Sequence, residues 1–338
     1  MTTQLKNLLK YTLALAVGGF LFWFALKDSD FPQMEKDIRQ ADFSWILITI
    51  LIAILSHLAR AARWNLLLKP LGYSPKIINT FMAVMVGYFA NILIPRLGEV
   101  SRCAVLNKLE NTHFNSTFGT VITERVFDLI CLMALVGFSF LMEYQRFSDL
   151  FLNYLNSHSN TGNHFFAYYI LATGFLLIIA TLLLFRKKII KSTLFSKVKQ
   201  FVLGIIEGAL SISQLSNKDK ALFLLHTFLI WFGYYLMTYL AFFSLPYTSG
   251  LSPLAGLVIL IVASLAMAMP VQGGLGAFEW LVPAALIGFY SLAEDQGKTY
   301  TIIIHASQFI TVILVGGICA LIVLFHKRKV EATVPQTT

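Results

Sequence analysis

Charge is what this sequence has least of. Asp, Glu, Lys and Arg make up 13% of its 338 residues, where a soluble domain carries about 25%. Hydrophobic residues make up 57%, with 29 Phe among them. Surface-to-volume scaling forces many positions of any fold outward, so no water-soluble domain could hide this much apolar surface. An ordinary globular protein is excluded, and lipid must be the solvent for much of the chain. Cysteine is also scarce. Cys103, Cys131 and Cys319 lie far apart and mostly inside apolar runs, which gives neither a disulfide framework nor a thiolate metal site. There is no P-loop, dinucleotide fingerprint or serine-nucleophile elbow. No His, Asp, Glu and Cys stand together at metal-ligand spacing, so no metal and no cofactor is expected. His57, His226 and His305 occur singly within apolar segments and read as hydrogen-bonded packing residues.

Acidic residues are the scarcer sign, 17 against 26 Lys and Arg, for a net charge of +9. In a soluble protein that balance would point to nucleic acid. In an apolar chain it reads as the enrichment of Lys and Arg in cytoplasmic loops, and no nucleic-acid partner is expected. The first apolar run, Leu8 to Leu26, lacks a small-x-small cleavage site before Lys27-Asp28. It therefore reads as an anchored span and not as a cleaved leader.

A membrane-crossing helix needs about 20 apolar residues. The chain is predicted to be an all-α integral membrane protein with six full spans, at 8–26, 43–64, 117–142, 165–185, 221–246 and 299–325. Two further apolar segments behave differently. Residues 77–94 run into Asn91-Ile92-Leu93-Ile94-Pro95-Arg96-Leu97-Gly98-Glu99, and residues 253–270 run into Met269-Pro270-Val271-Gln272-Gly273-Gly274-Leu275-Gly276-Ala277-Phe278-Glu279. Proline removes a backbone donor and stops an incoming helix.

Charge counting threads these segments. Basic residues gather at the N-terminus, in a loop at 60–76 that holds Arg60, Arg63, Lys69 and Lys76, in the loop at 186–220 and in the tail at 327–338. The loops at 143–164, 247–252 and 286–298 hold only Arg146 and Lys298. Residue 76 is then inside and residue 143 outside, so one of the two intervening apolar segments must return to its starting side. The broken segments are the natural choice, each as a Pro/Gly-broken re-entrant hairpin; two tight full crossings would satisfy the same count. The resulting topology puts twenty of the 26 Lys and Arg inside, with both termini cytoplasmic. The stretch 198–215 has helical spacing and reads either as an interfacial helix on anionic lipid or as an ordinary basic loop.

The whole chain reads as one transmembrane domain. Two spans, a broken hairpin and one span fill residues 1–145, and the same series fills 165–326. Each half has an odd number of crossings, so the order predicts an inverted-topology repeat, an arrangement typical of transporters with discontinuous helices.

Irregular backbone at membrane depth is tolerated where protein buries it or a polar cavity wets it. Residues 91–102 and 270–279 are therefore expected to line a cavity, with Asn91, Arg96, Gly273 and Gly274 among the residues there. The third span opens with Glu124-Arg125-Val126-Phe127-Asp128. Each charge at the bilayer centre costs about 2.5–3.5 kcal/mol. These three are expected to pair with one another, with Arg96 or Arg102, or with water in the cavity. Alternatively the span begins near Val126 and leaves them at the interface.

Asn91-x-x-x-Pro95-x-x-Gly98-Glu99-x-x-Arg102, then Glu124-Arg125-x-x-Asp128, then Pro270-x-x-Gly273-Gly274-Leu275-Gly276-x-x-Glu279 together resemble the transmembrane region of lysylphosphatidylglycerol synthases, a flippase-like (YbhN-type) membrane family. The resemblance covers roughly residues 8–326. It implies a helical bundle with re-entrant hairpins that moves lipid between leaflets. Glu99, Arg102, Glu124, Arg125, Asp128 and Glu279 would line the lipid headgroup path. Full-length synthases append a soluble domain that aminoacylates lipid. This chain ends about a dozen residues after the last span, so that chemistry is not expected of it. Other members are labelled as associated with glycosyl transfer. The expected cargo is thus a phospholipid or a lipid-linked glycan, in a bacterial-type cytoplasmic membrane, and the chain is read as a transporter and not an enzyme. A membrane glycosyltransferase, or a non-transporting partner of a lipid- or glycan-synthesising enzyme, is the alternative.

The topology makes a direct prediction. A cysteine introduced at Asn160 should react with an impermeant maleimide on intact cells, and one at Asn217 only after permeabilisation. Reaction at Asn160 only after permeabilisation would invert the topology.

Overall fold

The structure is a computed structural model that describes residues 3–149, 212 and 215–326. The expected span at 165–185, most of the basic loop at 186–220 with its candidate interfacial helix, and the tail at 327–338 lie outside the described residues. Among the described residues every regular element is helical. In chain order they are α1 (Thr3–Leu26), α2 (Phe31–Gln40), α3 (Phe43–Leu68), α4 (Ile77–Leu93), α5 (Leu97–Glu110), α6 (Phe114–Met142), α7 (Asn217–Ala241), α8 (Pro253–Ala268), α9 (Ala277–Tyr290), α10 (Glu294–Thr311) and α11 (Gly317–Phe325).

The helices are turned inside out relative to a soluble protein. On α3, Leu47, Leu51, Leu55 and Leu58 are exposed, whereas Thr49, Ser56, His57, Arg60 and Arg63 are buried. The helical period puts each set on its own face. A soluble helix buries its leucines and wets its arginines; the reverse pattern requires an apolar surround. Phe43–Leu71, Phe114–Met142, Asn217–Ser244 and Glu294–Phe325 are long and apolar enough to cross a membrane. These ranges contain or nearly match four of the expected spans. The first expected span falls in α1, whose stretch Leu15–Leu26 is a shorter apolar helix. Gln272–Tyr290 also has the length and composition of a span, although the sequence places it in the second hairpin.

Both Pro/Gly interruptions separate two packed helices. Helix α4 ends at Leu93, and Ile94 to Arg96 make the turn, with Arg96 in the left-handed region at φ 63°. Helix α5 then runs back along α4, so that the Glu110 carboxylate accepts from the Lys76 N–H at 2.8 Å and from Asn79 at 2.7 Å. Asn91 clasps the turn by accepting from the Gly98 N–H at 2.7 Å. Gly98 is required here by closeness: a Cβ on it would meet the Gly87 carbonyl oxygen and the Asn91 side chain. At 1.5 Å per residue, the 14 residues of α5 and the 14 of α9 each cover about 21 Å, short of a hydrocarbon core about 30 Å thick.

The second interruption runs from Met269 through a 3₁₀ turn at Gln272–Gly274 to Gly276. Gly276 has φ 80° and its Cα sits against the Gly18 backbone and Leu21 of α1. The two interruptions meet: Gly273 lies against Ile92 near the end of α4 and against Phe309 of α10. Between α10 and α11 the last span passes through a π turn at Val312–Gly316, where Gly316 packs on Met85 and Phe89 of α4.

Gly98→Val should force Asn91 and Gly87 apart and lower stability by about 1–3 kcal/mol, as overpacking does. Gly119, with nothing near its Cα, should accept Val or Ala with much less effect. Thermal unfolding of the two purified variants in detergent compares them directly.

Candidate functional site

Arg60 and Arg63 are three apart on α3, and Glu124 and Asp128 are four apart on α6, so each pair shares a helix face. These faces meet. Arg60 Nη1 donates to Glu124 Oε1 at 2.9 Å and to Asp128 Oδ2 at 2.9 Å. Arg63 Nη2 donates to Glu124 Oε1 at 3.0 Å and to Asp128 Oδ1 at 2.7 Å. Arg102 on α5 lies with its Nη2 2.9 Å from Glu124 Oε2, its guanidinium 3.9 Å above the Trp64 ring. Trp64 is itself buried and donates to Thr120 Oγ1 at 2.8 Å. Glu124 is fully buried, with three arginines around it. Such a carboxylate is tenable only because opposite charge surrounds it and Arg60 and Arg63 donate hydrogen bonds to it.

Arg125 closes the cluster on the cavity side. It lies 3.4 Å from Glu99 and 3.8 Å from Asp128, and its side chain is 40% exposed. Four arginines, 60, 63, 102 and 125, thus face three carboxylates, 99, 124 and 128, leaving one positive charge in surplus. Tyr234 extends the network by accepting from Arg60 Nη2 at 3.2 Å, and its hydroxyl is 3.5 Å from that of Tyr88. Tyr88 packs against His57 with the rings tilted, at 4.6 Å between centroids.

A second polar station lies at the second interruption. Glu279 begins α9 and accepts from the Gly276 N–H at 2.7 Å, capping its own helix. Its other oxygen meets Nδ1 of His305 on α10. His305 Nε2 donates to the Gly273 carbonyl at 3.0 Å. Phe278 stacks on the imidazole at 4.4 Å.

A partly open cavity of about 430 Å³ joins the two stations. Arg60, Arg125 and Asp128 form part of its wall, and Gly273 and His305 another part. Between them the lining is mostly apolar, including Leu129, Leu132, Leu260 and Met267. The cavity therefore offers an anion-binding patch and an apolar bed in one space.

The structure brings Glu99, Arg102, Glu124, Arg125 and Asp128 together, as the desolvation argument requires. Arg96 is not among them. It is exposed at the tip of the first hairpin. Asn91 is spent on the turn, Gly274 packs against Met267, and Gly273 lines the cavity. Glu279 is buried behind the cavity wall. Helix α6 runs unbroken through Glu124-Arg125-Asp128 and buries Glu124 against protein. Arg60 and Arg63 need correction. Basic-residue counting assigned them to a cytoplasmic loop, whereas α3 continues to Leu68 and buries both as partners of Glu124 and Asp128. Their signal was present: two arginines at i, i+3, followed by the apolar Leu66-Leu67-Leu68. His305 reads as a lone packing residue in the sequence, yet it holds Glu279. Among the described residues no group of three or more His, Cys, Asp or Glu could hold a metal ion.

Glu124→Gln should strand Arg102, leave Arg60 and Arg63 with Asp128 alone, and destabilise the protein by about 3–5 kcal/mol, the usual effect of removing one partner from a buried ion pair. Adding Arg102→Gln should recover part of the loss. Melting curves of the two single variants and the double variant test this coupling; simple additivity would show that the network is not a unit.

The chain matches the family model described as "Lysylphosphatidylglycerol synthase TM region" over residues 11–316. It is 24% identical over 340 residues to the UPF0104 membrane protein PH1989 of Pyrococcus horikoshii, covering 93% of this chain and 97% of that protein. It is 30% identical over 159 residues to the UPF0104 membrane protein MJ1595 of Methanocaldococcus jannaschii, covering 42% of this chain and 46% of that one. It is 27% identical over 136 residues to a protein named glycosyltransferase AglD of Haloferax volcanii, covering 40% of this chain and 21% of that protein. No solved structure matches the chain. With more than half of its length matched by the family model, this integral membrane protein belongs to the lysylphosphatidylglycerol synthase TM-region family.

Proposed function

We propose that this chain is a lipid flippase or transporter that moves a phospholipid or a lipid-linked glycan between leaflets. The observation that carries this reading is the cavity: a surplus arginine charge in its wall and an apolar lining beyond it. A lipid phosphate is the anion that arrives with apolar chains attached. Arginine matches its oxygens through a planar fork of donors. Of the four arginines, Arg125 is the half-exposed one at the cavity, and it takes the phosphate. Arg60, Arg63 and Arg102 hold the carboxylates that orient it.

The hairpins belong to the same reading. Second limbs of about 21 Å suit re-entrant elements better than full crossings, and the contact between Gly273 and Ile92 fits two halves related by an in-plane axis, as in inverted repeats. The excess of Lys and Arg on one side supports cytoplasmic termini in a bacterial-type cytoplasmic membrane. A lipid- or glycan-synthesising enzyme would supply the cargo.

A glycosyltransferase is the second reading, favoured by the name of one relative, AglD. The likeness reaches only 21% of that protein, which leaves most of its length without a counterpart here.

Purified protein in liposomes should accelerate the inward and outward movement of fluorescent phosphatidylglycerol or of a polyprenyl-phosphate sugar. Arg125→Gln should reduce the rate about tenfold or more, the loss of one charge-assisted contact, with little change in melting temperature. Normal rates for Arg125→Gln, Arg102→Lys and Glu99→Gln alike would make the cluster purely structural. Sugar transfer without lipid movement would favour the enzyme.

A further inference from the structure

The Glu279–His305 pair poses a proton-counting problem. Nδ1 of His305 meets Glu279 Oε1, and Nε2 meets the Gly273 carbonyl oxygen at 3.0 Å. A carbonyl oxygen accepts only, and so does an ionised carboxylate. A neutral imidazole has one N–H and cannot satisfy two acceptors. Turning the ring over would put carbon atoms against both oxygens and lose both bonds. Two protonation patterns fit. Either the imidazolium faces a carboxylate, or a neutral imidazole with its proton on Nε2 faces a protonated Glu279. In both, the pair is neutral and holds one proton that its unprotonated form, neutral imidazole with carboxylate, lacks.

We infer that the Glu279–His305 pair at the second interruption is a proton-binding site that couples movement of the lipid cargo to a proton. This rests on the transport reading above, and it supplies that reading with an energy source. His305 lines the cavity, so the proton has a route to water. When it leaves, the single N–H that remains serves only one of the two acceptors, and the other faces a bare nitrogen lone pair, where two buried acceptors repel. The contact must open. His305 is what ties the Gly273 turn to α10, and Glu279 is what caps α9 through the Gly276 N–H. Opening the pair therefore loosens a stretch of wall that includes Gly273 and Phe278, both of which line the cavity. Protonation closes that wall and deprotonation frees it.

The surroundings leave the pair to act alone. The other titratable and charged groups around the cavity are His57 and Arg60 on α3, Tyr88 on α4, Arg125 and Asp128 on α6, and Tyr234 on α7. They are joined to one another at the opposite station through the contacts given above. On α9 the facing group is Glu279. Around the turn, α1 presents Gly18 and Leu21, and α8 presents Met267 and Ser264. Helix α2 approaches the start of α10, where the Asp295 carboxylate accepts from the Asp30 N–H, about three turns from His305.

Glu279→Gln tests the site with little risk to folding. The amide oxygen still accepts from Gly276, the amide N–H donates to Nδ1, and the neutral imidazole keeps its bond to Gly273. The variant mimics the protonated pair and cannot release the proton. Liposomes of phosphatidylethanolamine and phosphatidylglycerol carrying fluorescent phosphatidylglycerol are compared with the pH gradient in each direction. Wild type should differ between the two directions by about fivefold or more, the lower end of ordinary coupling between two sites. Glu279→Gln should show one rate in both. Equal rates for wild type in both directions, or an undiminished response in Glu279→Gln, would overturn the coupling while leaving lipid transport standing. A wild type that moves no lipid would instead overturn the transport reading. In that event the site is read by infrared difference spectra of the purified protein on raising pH. Paired carboxyl and imidazole bands that vanish in Glu279→Gln support the proton site, and their absence from wild type refutes it.

Discussion

The fold hangs on a carboxylate that has no access to water. Glu124 is fully buried and touches Arg60, Arg63 and Arg102, so one side chain of α6 fastens two helices, α3 and α5, to a third. None of these groups is stable there alone. An unpaired charge buried in an apolar interior costs several kcal/mol, and removing any one partner leaves the others exposed to that penalty. The network thus does more than add attraction. It makes the separated helices unfavourable and fixes their register, because the guanidinium planes reach both Glu124 and Asp128 only when α3 and α6 are aligned to within a side chain's reach. The first hairpin is fastened in the same way, through Arg102 on one limb and the Asn91–Gly98 clasp at its tip.

What the sequence made legible follows from which signals are local. Long apolar runs mark the spans, since length against bilayer thickness is a property of one segment. Pro95 and Pro270-x-x-Gly273 mark the interruptions for the same reason: a missing donor, and at Gly273 a positive φ, act on their own few residues. The meeting of Glu99, Arg102, Glu124, Arg125 and Asp128 was legible through cost, because charges stranded in an apolar chain have to find one another. Arg60 and Arg63 were hidden by the rule that reveals topology. Counting Lys and Arg as loop markers treats every basic residue as wet, and these two sit where a helix would end if it ended on charge. Their carboxylate partners are more than sixty residues away. His305 was hidden likewise, since its partner Glu279 lies 26 residues upstream on another element, with no spacing rule to connect them.

The helix ends show the same division. The segment from Phe43 was expected to end at residue 64 and runs to Leu68, and the last span was expected from residue 299 and begins at Glu294. In both places hydropathy falls before helicity does. The extra turns carry Asn65, Glu294, Asp295 and Lys298, which find partners in Pro75 and Thr80, in the Asp30 N–H, and in one another. Helix ends are set by packing and by how the terminal backbone groups are satisfied, whereas a hydropathy window stops at the first polar residues.

For the lipid cargo proposed above, electrostatics also sets a constraint on what the cavity would carry. The ion network has one positive charge in surplus, and the Glu279–His305 pair is neutral while it holds its proton. A phosphodiester brings one negative charge and cancels the surplus, so the loaded cavity is neutral overall. A neutral assembly has much less to lose than a charged one when water is excluded and the apolar lining closes on it. A phosphomonoester with two negative charges would leave one uncompensated. A network with equal arginines and carboxylates would hold either ligand poorly, since the anion would have to displace a carboxylate from its partner. On the proposed transport reading, the surplus is the feature that turns a structural ion cluster into a binding surface. Arg125 is the arginine placed to meet the anion, because it is 40% exposed, whereas Arg60, Arg63 and Arg102 are enclosed by Glu124, Asp128, Trp64 and Thr227.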